Sequence, residues 1–183
     1  MRQYLVCMGA PSWARRVFWQ LSQGQGAWYV PVTDAGELLR EAQDRRPRYA
    51  FFVNWSVVVP AEVVGVVECV NFHCTRLPYG RGGHPIENLI LRGHSETVIT
   101  AHRMTEEVDA GPIYGVSGPV SLAGTKEEIL DRFVRPVAAL LKEIVRLEPP
   151  PIPQDGPVVR FRRLRQEQYY ALWQAREKEA SGA

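Results

Sequence analysis

Two kinds of apolar run alternate along the chain. Short, dense runs at 3–8, 27–32, 49–53 and 66–73 are bounded by glycine, proline, asparagine or aspartate, the pattern of buried strands. Between them, residues 13–22 and 35–43 read as helices, with Thr33 or Asp34 placed to cap the second. This alternation predicts the α/β class: a mostly parallel, open twisted sheet with flanking helices.

Beyond residue 73 the pattern loosens. The stretch TRLPYGRGG (75–83) is a loop by composition, and 84–91 reads as a helix with Pro85 in its first turn. A strand follows at 96–104, then an acidic turn at 105–112 and a final sheet strand at 111–117. Thr125 and Glu128 have the spacing of a capping box, and Ile129, Phe133, Val137, Leu140, Leu141, Ile144 and Val145 share a helical face, with Pro136 inside it. The prolines at 149–153 end this pattern. A short strand at 158–163 and a helix at 167–178 come after, so the expected division is a catalytic domain over 1–148 and a proline-rich connection with C-terminal extension over 149–183. Tyr169, Tyr170 and Trp173 make that extension the candidate homodimer interface.

Composition narrows the setting. The 183 residues, 45% of them hydrophobic, suffice for one substantial core. With 22 basic and 20 acidic side chains the net charge is +2, from which no nucleic-acid partner is expected. Three cysteines without paired spacing, no long apolar span and no leader pattern point to a reducing cytoplasm and no membrane partner.

The chemistry concentrates at 67–112. On an extended backbone Asn71 and His73 leave one face of the strand while Phe72 leaves the other, so an amide and an imidazole can meet one small ligand. A turn-capping asparagine beside a satisfied surface histidine is the plainer reading of that pair. Asp109, on a loop at a strand exit, adds a carboxylate that can orient an imidazole or handle an amine's proton. With no activated serine in view, such a group suits attack of an amine on a carbonyl, where the new oxyanion needs donors. Val57, Val58 and Val59 by themselves read as core strand. One glycine after the first strand, Gly9, is not a dinucleotide fingerprint but makes a tight turn near a strand end.

Three ordered motifs, Asn71-Phe72-His73, then Leu77-Pro78-Tyr79-Gly80-Arg81-Gly82-Gly83, then the run from Met104 through Asp109 to Ile113, resemble the 10-formyltetrahydrofolate-dependent formyltransferases. The resemblance implies a Rossmann-like core and direct formyl transfer from the folate N10 to a primary amine. It places the catalytic trio on Asn71, His73 and Asp109, and the donor-binding segments on Trp55, Ser56, Val57 and Val58 and on Met104, Thr105 and Val108. Gly9, Thr75, Arg76, Tyr79 and Arg81 are the candidate contacts to the acceptor. The loop is closest in style to bacterial amino-sugar formyltransferases, which makes a small amino-sugar nucleotide the expected acceptor and an amino acid or carrier-bound amine the alternative. The short length argues against the longer methionyl-tRNA enzymes.

Two other classes compete. His73, His84, His94 and His102 with Cys74 and Asp109 are the ligand types of a metal-dependent hydrolase, but their spacing matches no compact zinc motif, and no metal is expected. A noncatalytic folate- or nucleotide-binding subunit is the third reading. Cys74, where many relatives carry proline, is expected to fill space rather than act as a nucleophile.

Overall fold

The dense apolar runs assemble into one six-stranded sheet. The computed structural model describes residues 2–9, 12–24 and 26–182. The first half alternates β1 (Gln3–Met8), α1 (Ser12–Ser22), β2 (Trp28–Val32), α2 (Ala35–Arg45), β3 (Tyr49–Val53), α3 (Ala61–Val66) and β4 (Glu68–His73). There follow β5 (Tyr79–Gly82), α4 (Pro85–Leu91), β6 (Glu96–Thr97), β7 (Thr100–Arg103), β8 (Ile113–Val116), β9 (Val120–Ser121), α5 (Lys126–Leu147), β10 (Val159–Phe161) and α6 (Gln166–Ser181). The sheet order is β2-β1-β3-β4-β7-β8; the first four strands are mutually parallel, β7 runs antiparallel to β4, and β8 runs antiparallel to β7.

Period-two alternation sorts the core into two layers. Leu5, Cys7, Ala50, Phe52 and Cys69 face Leu38 and Ala42 of α2 and Val63 of α3. Tyr4, Val6, Phe51, Val70, Phe72 and Ala101 face the other way, into a cluster with Val17 and Leu21 of α1 and Phe133, Val137 and Leu141 of α5. Thr125 and Glu128 form the expected capping box, and α5 continues through Pro136. Because alternation is strict, Asn71 and His73 of β4 lie on the same side as Cys69, away from the α5 layer.

Where β1 and β3 end, Gly9 donates its N–H to Val53 O at 3.2 Å, and a Cβ there would lie 1.8 Å from Asn54 O. Only glycine allows that approach.

Several local expectations change. The single strand expected at 96–104 divides: β6 pairs with β9, while β7 pairs with β4 and β8. Val57 and Val58 are not core strand; β3 stops before Asn54, whose φ is 52°, and the valines sit on an open loop, 54% and 88% exposed. The glycine-rich stretch holds β5, which pairs in parallel with β10, so the chain returns from its C-terminal part to this loop. Trp173 is buried and donates from Nε1 to Glu87 Oε1 at 3.1 Å, and Tyr169 packs against His84. Two of the three aromatic residues expected at a dimer interface thus serve contacts within the chain, leaving Tyr170 exposed. Among the described residues no helix is long and apolar enough to cross a membrane.

Candidate active site

The antiparallel pairing of β4 with β7 sets Asn71 directly opposite His102, and their side chains share a face. Asn71 Nδ2 lies 3.3 Å from His102 Nε2. Asp109 arrives from the loop joining β7 to β8, with Oδ1 3.4 Å from His102 Nε2 and Oδ2 3.5 Å from His73 Nδ1. The four groups therefore gather near the end of β4, with Asn71 and His73 on the one face that their strand spacing gives them.

Backbone groups fix how each ring presents itself. His73 Nε2–H donates to Gly80 O at 2.8 Å, which turns Nδ1 toward Asp109. His102 Nδ1–H donates to Arg103 O at 2.9 Å, leaving Nε2 facing Asn71 and Asp109. Gly82 N donates to Asp109 Oδ2 at 2.9 Å. Strand β5 thus supplies one carbonyl and one N–H to the cluster. Gly80 and Gly82 have φ of 82° and 109°, and a Cβ on Gly82 would lie 2.4 Å from Phe161 O of β10.

Burial sets the electrostatics. It pushes the Asp109 carboxyl up, but the His102 ring, the His73 ring and the Gly82 N–H outweigh it and bring the carboxyl down to about 2. Burial lowers the His73 imidazole against the opposing pull of Asp109 and the Gly80 carbonyl, so His73 favours its neutral form. Burial, with Glu87 and Asp109 nearby, pushes the Cys74 thiol up to about 12, which leaves it no thiolate for nucleophilic work at neutral pH.

The remaining candidates are distributed around this centre. Trp55, Ser56, Val57 and Val58 lie on the open loop after β3; Trp55 packs edge-on against Phe52, and its buried indole N–H has no protein partner. Among the described residues no backbone group of 55–59 is taken by another backbone group, so the loop offers free N–H and C=O groups beside exposed apolar side chains. That donor set fits the polar edge and flat face of a pterin. Met104, Thr105 and Val108 belong to the loop that carries Asp109; Met104 packs on the cluster containing Trp55, and Val108 is 62% exposed.

Of the residues expected to contact the acceptor, Thr75 is fully buried, its carbonyl accepts from Thr100 Oγ1 at 2.5 Å, and its own hydroxyl has no protein partner. Arg76 is exposed, and the Tyr79 hydroxyl meets His94 Nε2 at 3.1 Å. Arg81 is buried, with its guanidinium held by Gln154 and Glu107 rather than turned to solvent. Gly9 borders Asn54 at the adjoining strand ends.

His102 and Gln154 belong to the network although the chain's pattern did not single them out for it. His102 entered only as a potential metal ligand; its position opposite Asn71 depends on the β4–β7 register, which one sequence does not display. Among the described residues no group of three His, Cys, Asp or Glu side chains is arranged to hold a metal ion.

A doubly wound sheet with an amide, two imidazoles and a carboxylate gathered at the strand ends is an arrangement chemically suited to transfer between an amine and a carbonyl. The chain belongs to the formyl transferase family, whose model matches residues 11–145. It is 32% identical over 129 residues to the methionyl-tRNA formyltransferase of Acidothermus cellulolyticus, which covers 66% of this chain and 40% of that protein. The solved methionyl-tRNA formyltransferase from Clostridium thermocellum superposes with a TM-score of 0.86 at 30% identity, covering 92% of this chain and 75% of the other. HypX from Aquifex aeolicus, solved in complex with tetrahydrofolic acid, shares the fold with a TM-score of 0.73 at 18% identity over 92% of this chain and 30% of its own. The chain spans between 30% and 49% of the length of the curated relatives it matches.

These relatives correct two expectations. The expectation of no nucleic-acid partner does not stand, because the relatives matched include proteins named for methionyl-tRNA. Net charge was the wrong measure: it averages over the chain, while Arg160, Arg162, Arg163 and Arg165 are concentrated in six residues and all exposed. The expected likeness to amino-sugar formyltransferases gives way as well, because the curated relatives are named for methionyl-tRNA, although they are longer than this chain.

Proposed function

We propose that this chain transfers a formyl group from 10-formyltetrahydrofolate to the primary amine of an amino acid borne on tRNA. The observation that carries the reading is the convergence of Asn71, His73, His102 and Asp109 at the end of β4. The relatives named for methionyl-tRNA support this acceptor over the amino-sugar nucleotide. Exposed Arg162, Arg163 and Arg165, next to β5 and α4 through the Arg162 carbonyl and the Arg163 stem, supply positive charge suited to a phosphate backbone.

The folate supplies the formyl carbon and N10 as leaving group. Asn71 Nδ2 donates to the carbonyl oxygen as the amine nitrogen bonds to the formyl carbon and the carbonyl electron pair moves onto oxygen. His73 has Nε2 engaged by Gly80, so Nδ1 is the nitrogen through which it exchanges a proton with the reacting groups. Asp109, ionised down to about pH 2, stabilises positive charge on the attacking nitrogen and directs its proton toward N10 as the carbon–N10 bond breaks. Burial strengthens each of these interactions relative to water.

The test is an acceptor panel with 10-formyltetrahydrofolate: methionyl-tRNA, free methionine and an amino-sugar nucleotide, with product identified by mass. Formylated methionyl-tRNA with matching release of tetrahydrofolate is the expected result. Formylation of the sugar nucleotide alone, or folate binding with no product from any acceptor, rejects the reading. Arg162→Ala with Arg163→Ala should weaken tRNA binding and reduce its log–log salt slope by about 1 per lost phosphate contact.

A further inference from the structure

The polar network extends past the four side chains at the strand ends to Gln154, in the connection between α5 and β10. Its Nε2 donates to Asp109 O and to Gly111 O, each at 2.8 Å. Its Oε1 accepts from Arg81 Nη2 at 2.7 Å and Arg81 Nε at 3.0 Å. Carbonyls only accept and guanidinium groups only donate, so these partners fix which end of the amide is which. Both N–H groups and both lone pairs are satisfied. Arg81 is steadied in turn by Glu107 Oε1 at 3.3 Å, and Glu107 also pairs with Arg160 of β10.

The loop that carries Asp109 depends on such support. Asp109 has φ of 54°, a left-handed conformation that non-glycine residues seldom adopt. Two residues on, a Cβ at Gly111 would lie 1.9 Å from Arg103 O, so the loop passes tightly over the end of β7. Among the described residues the Asp109 carboxylate has one contact of ordinary hydrogen-bond length, from Gly82 N at 2.9 Å, while the rings of His102 and His73 stand at 3.4 and 3.5 Å. Side-chain contacts this loose leave the carboxylate's direction to its backbone, and Gln154 holds that backbone on both sides of Ala110.

We propose that Gln154 is a positioning residue for formyl transfer: by holding the carbonyls of Asp109 and Gly111 it aims the Asp109 carboxylate at His73, His102 and the Gly82 N–H. The kinetic consequence rests on the function proposed above, whereas the effect on Asp109 rests on geometry alone. Gln154 lies outside residues 11–145, which the family model matches.

Two variants separate aiming from anchoring. Gln154→Leu removes all four hydrogen bonds, and Gln154→Glu keeps an acceptor for Arg81 while setting a carboxylate against two carbonyls. The carboxyl titration of Asp109, followed by carbon-13 NMR in the substrate-free protein, needs no acceptor. In both variants Asp109 should titrate higher than in the wild type by about one pH unit or more. Turnover should fall about 10-fold to 10²-fold with KM changed by less than about threefold. An Asp109 titration unchanged in both variants overturns the proposal, whatever happens to melting temperature; if Gln154→Leu does not fold, Gln154→Glu decides alone. A wild-type protein that formylates none of the panel defeats the functional reading and leaves the titration to judge Gln154.

Discussion

Strand β4 carries a polar cluster at each end, and the two are built in opposite ways. At its start, Glu68 receives Arg103 Nη2 at 2.6 Å and Nε at 3.2 Å, together with Arg48 and the Tyr114 hydroxyl. Burial disfavours its ionisation, but the hydrogen bonds from Tyr114, Arg48 and Arg103 prevail and hold the carboxyl below its ordinary value. Both arginines remain about two-fifths exposed, 41% and 42%, so water screens the pairs. At the other end Asp109 is nearly enclosed and meets two imidazoles, beyond ordinary hydrogen-bond length, with an amide beside them. A carboxylate whose oxygens are all met at close range is structural. One that is buried, ionised and loosely met retains capacity for a substrate.

Cavity size points the wrong way in this comparison. An open hollow of about 730 Å³ lies beside the Glu68 cluster, lined in part by Arg2, Arg45, Arg46 and Arg48. Three of these cations already pair with Glu148, Glu41 and Glu68, which leaves the hollow little unmet charge. The buried imidazoles, the unpartnered Trp55 indole N–H and the unpartnered Thr75 hydroxyl lie toward the opposite strand ends.

The contrast can be broken most directly at Asn71 and Asp109. Asn71→Ala and Asp109→Asn should each lower turnover by about 10²-fold or more, equivalent to roughly 2.7 kcal/mol, with melting temperature little changed. Full activity in either variant would remove that residue from the mechanism. Gly82→Ala comes next, because it forces a side chain into φ of 109° and against Phe161 O. It should cost about 1–3 kcal/mol in denaturant unfolding and lower activity as β5 parts from β10. At the opposite end, Glu68→Gln should cost about 1 kcal/mol of stability, discounted for solvent, and leave turnover within about twofold. A large loss of turnover there would erase the distinction between the clusters.

The smallest effect concerns pH. His73 in the folded chain binds its proton less readily than at its ordinary value of 6.5, because it is buried. Below that value the unfolded chain takes up more protons than the folded one, so stability falls as pH drops through and below about 6.5. Asp109 acts in the same sense at lower pH: its stabilising contribution is present above the ordinary carboxyl value of 3.8 and is lost as pH falls toward about 2. Melting curves from pH 8 to 5 should show the His73 limb, and His73→Gln should flatten it; an unchanged slope would mean that His73 does not titrate on unfolding.

Much of this molecule follows from local order in the chain. Strict alternation in β4 dictates that Asn71 and His73 share a face, and dense apolar runs separated by amphipathic ones dictate a sheet covered by helices. Thr125 and Glu128, three apart, suffice to start α5, because a capping box is closed by neighbours. What tertiary structure alone decided depends on residues far apart in sequence. The antiparallel register sets His102 against Asn71, the return of β10 to β5 turns a glycine-rich loop into a scaffold for His73 and Asp109, and Gln154 reaches back 45 residues to the Asp109 carbonyl. Hydrophobic period specifies which face a side chain occupies but not which strand lies beside it; that is settled only when the whole core closes and each buried polar group finds its partner.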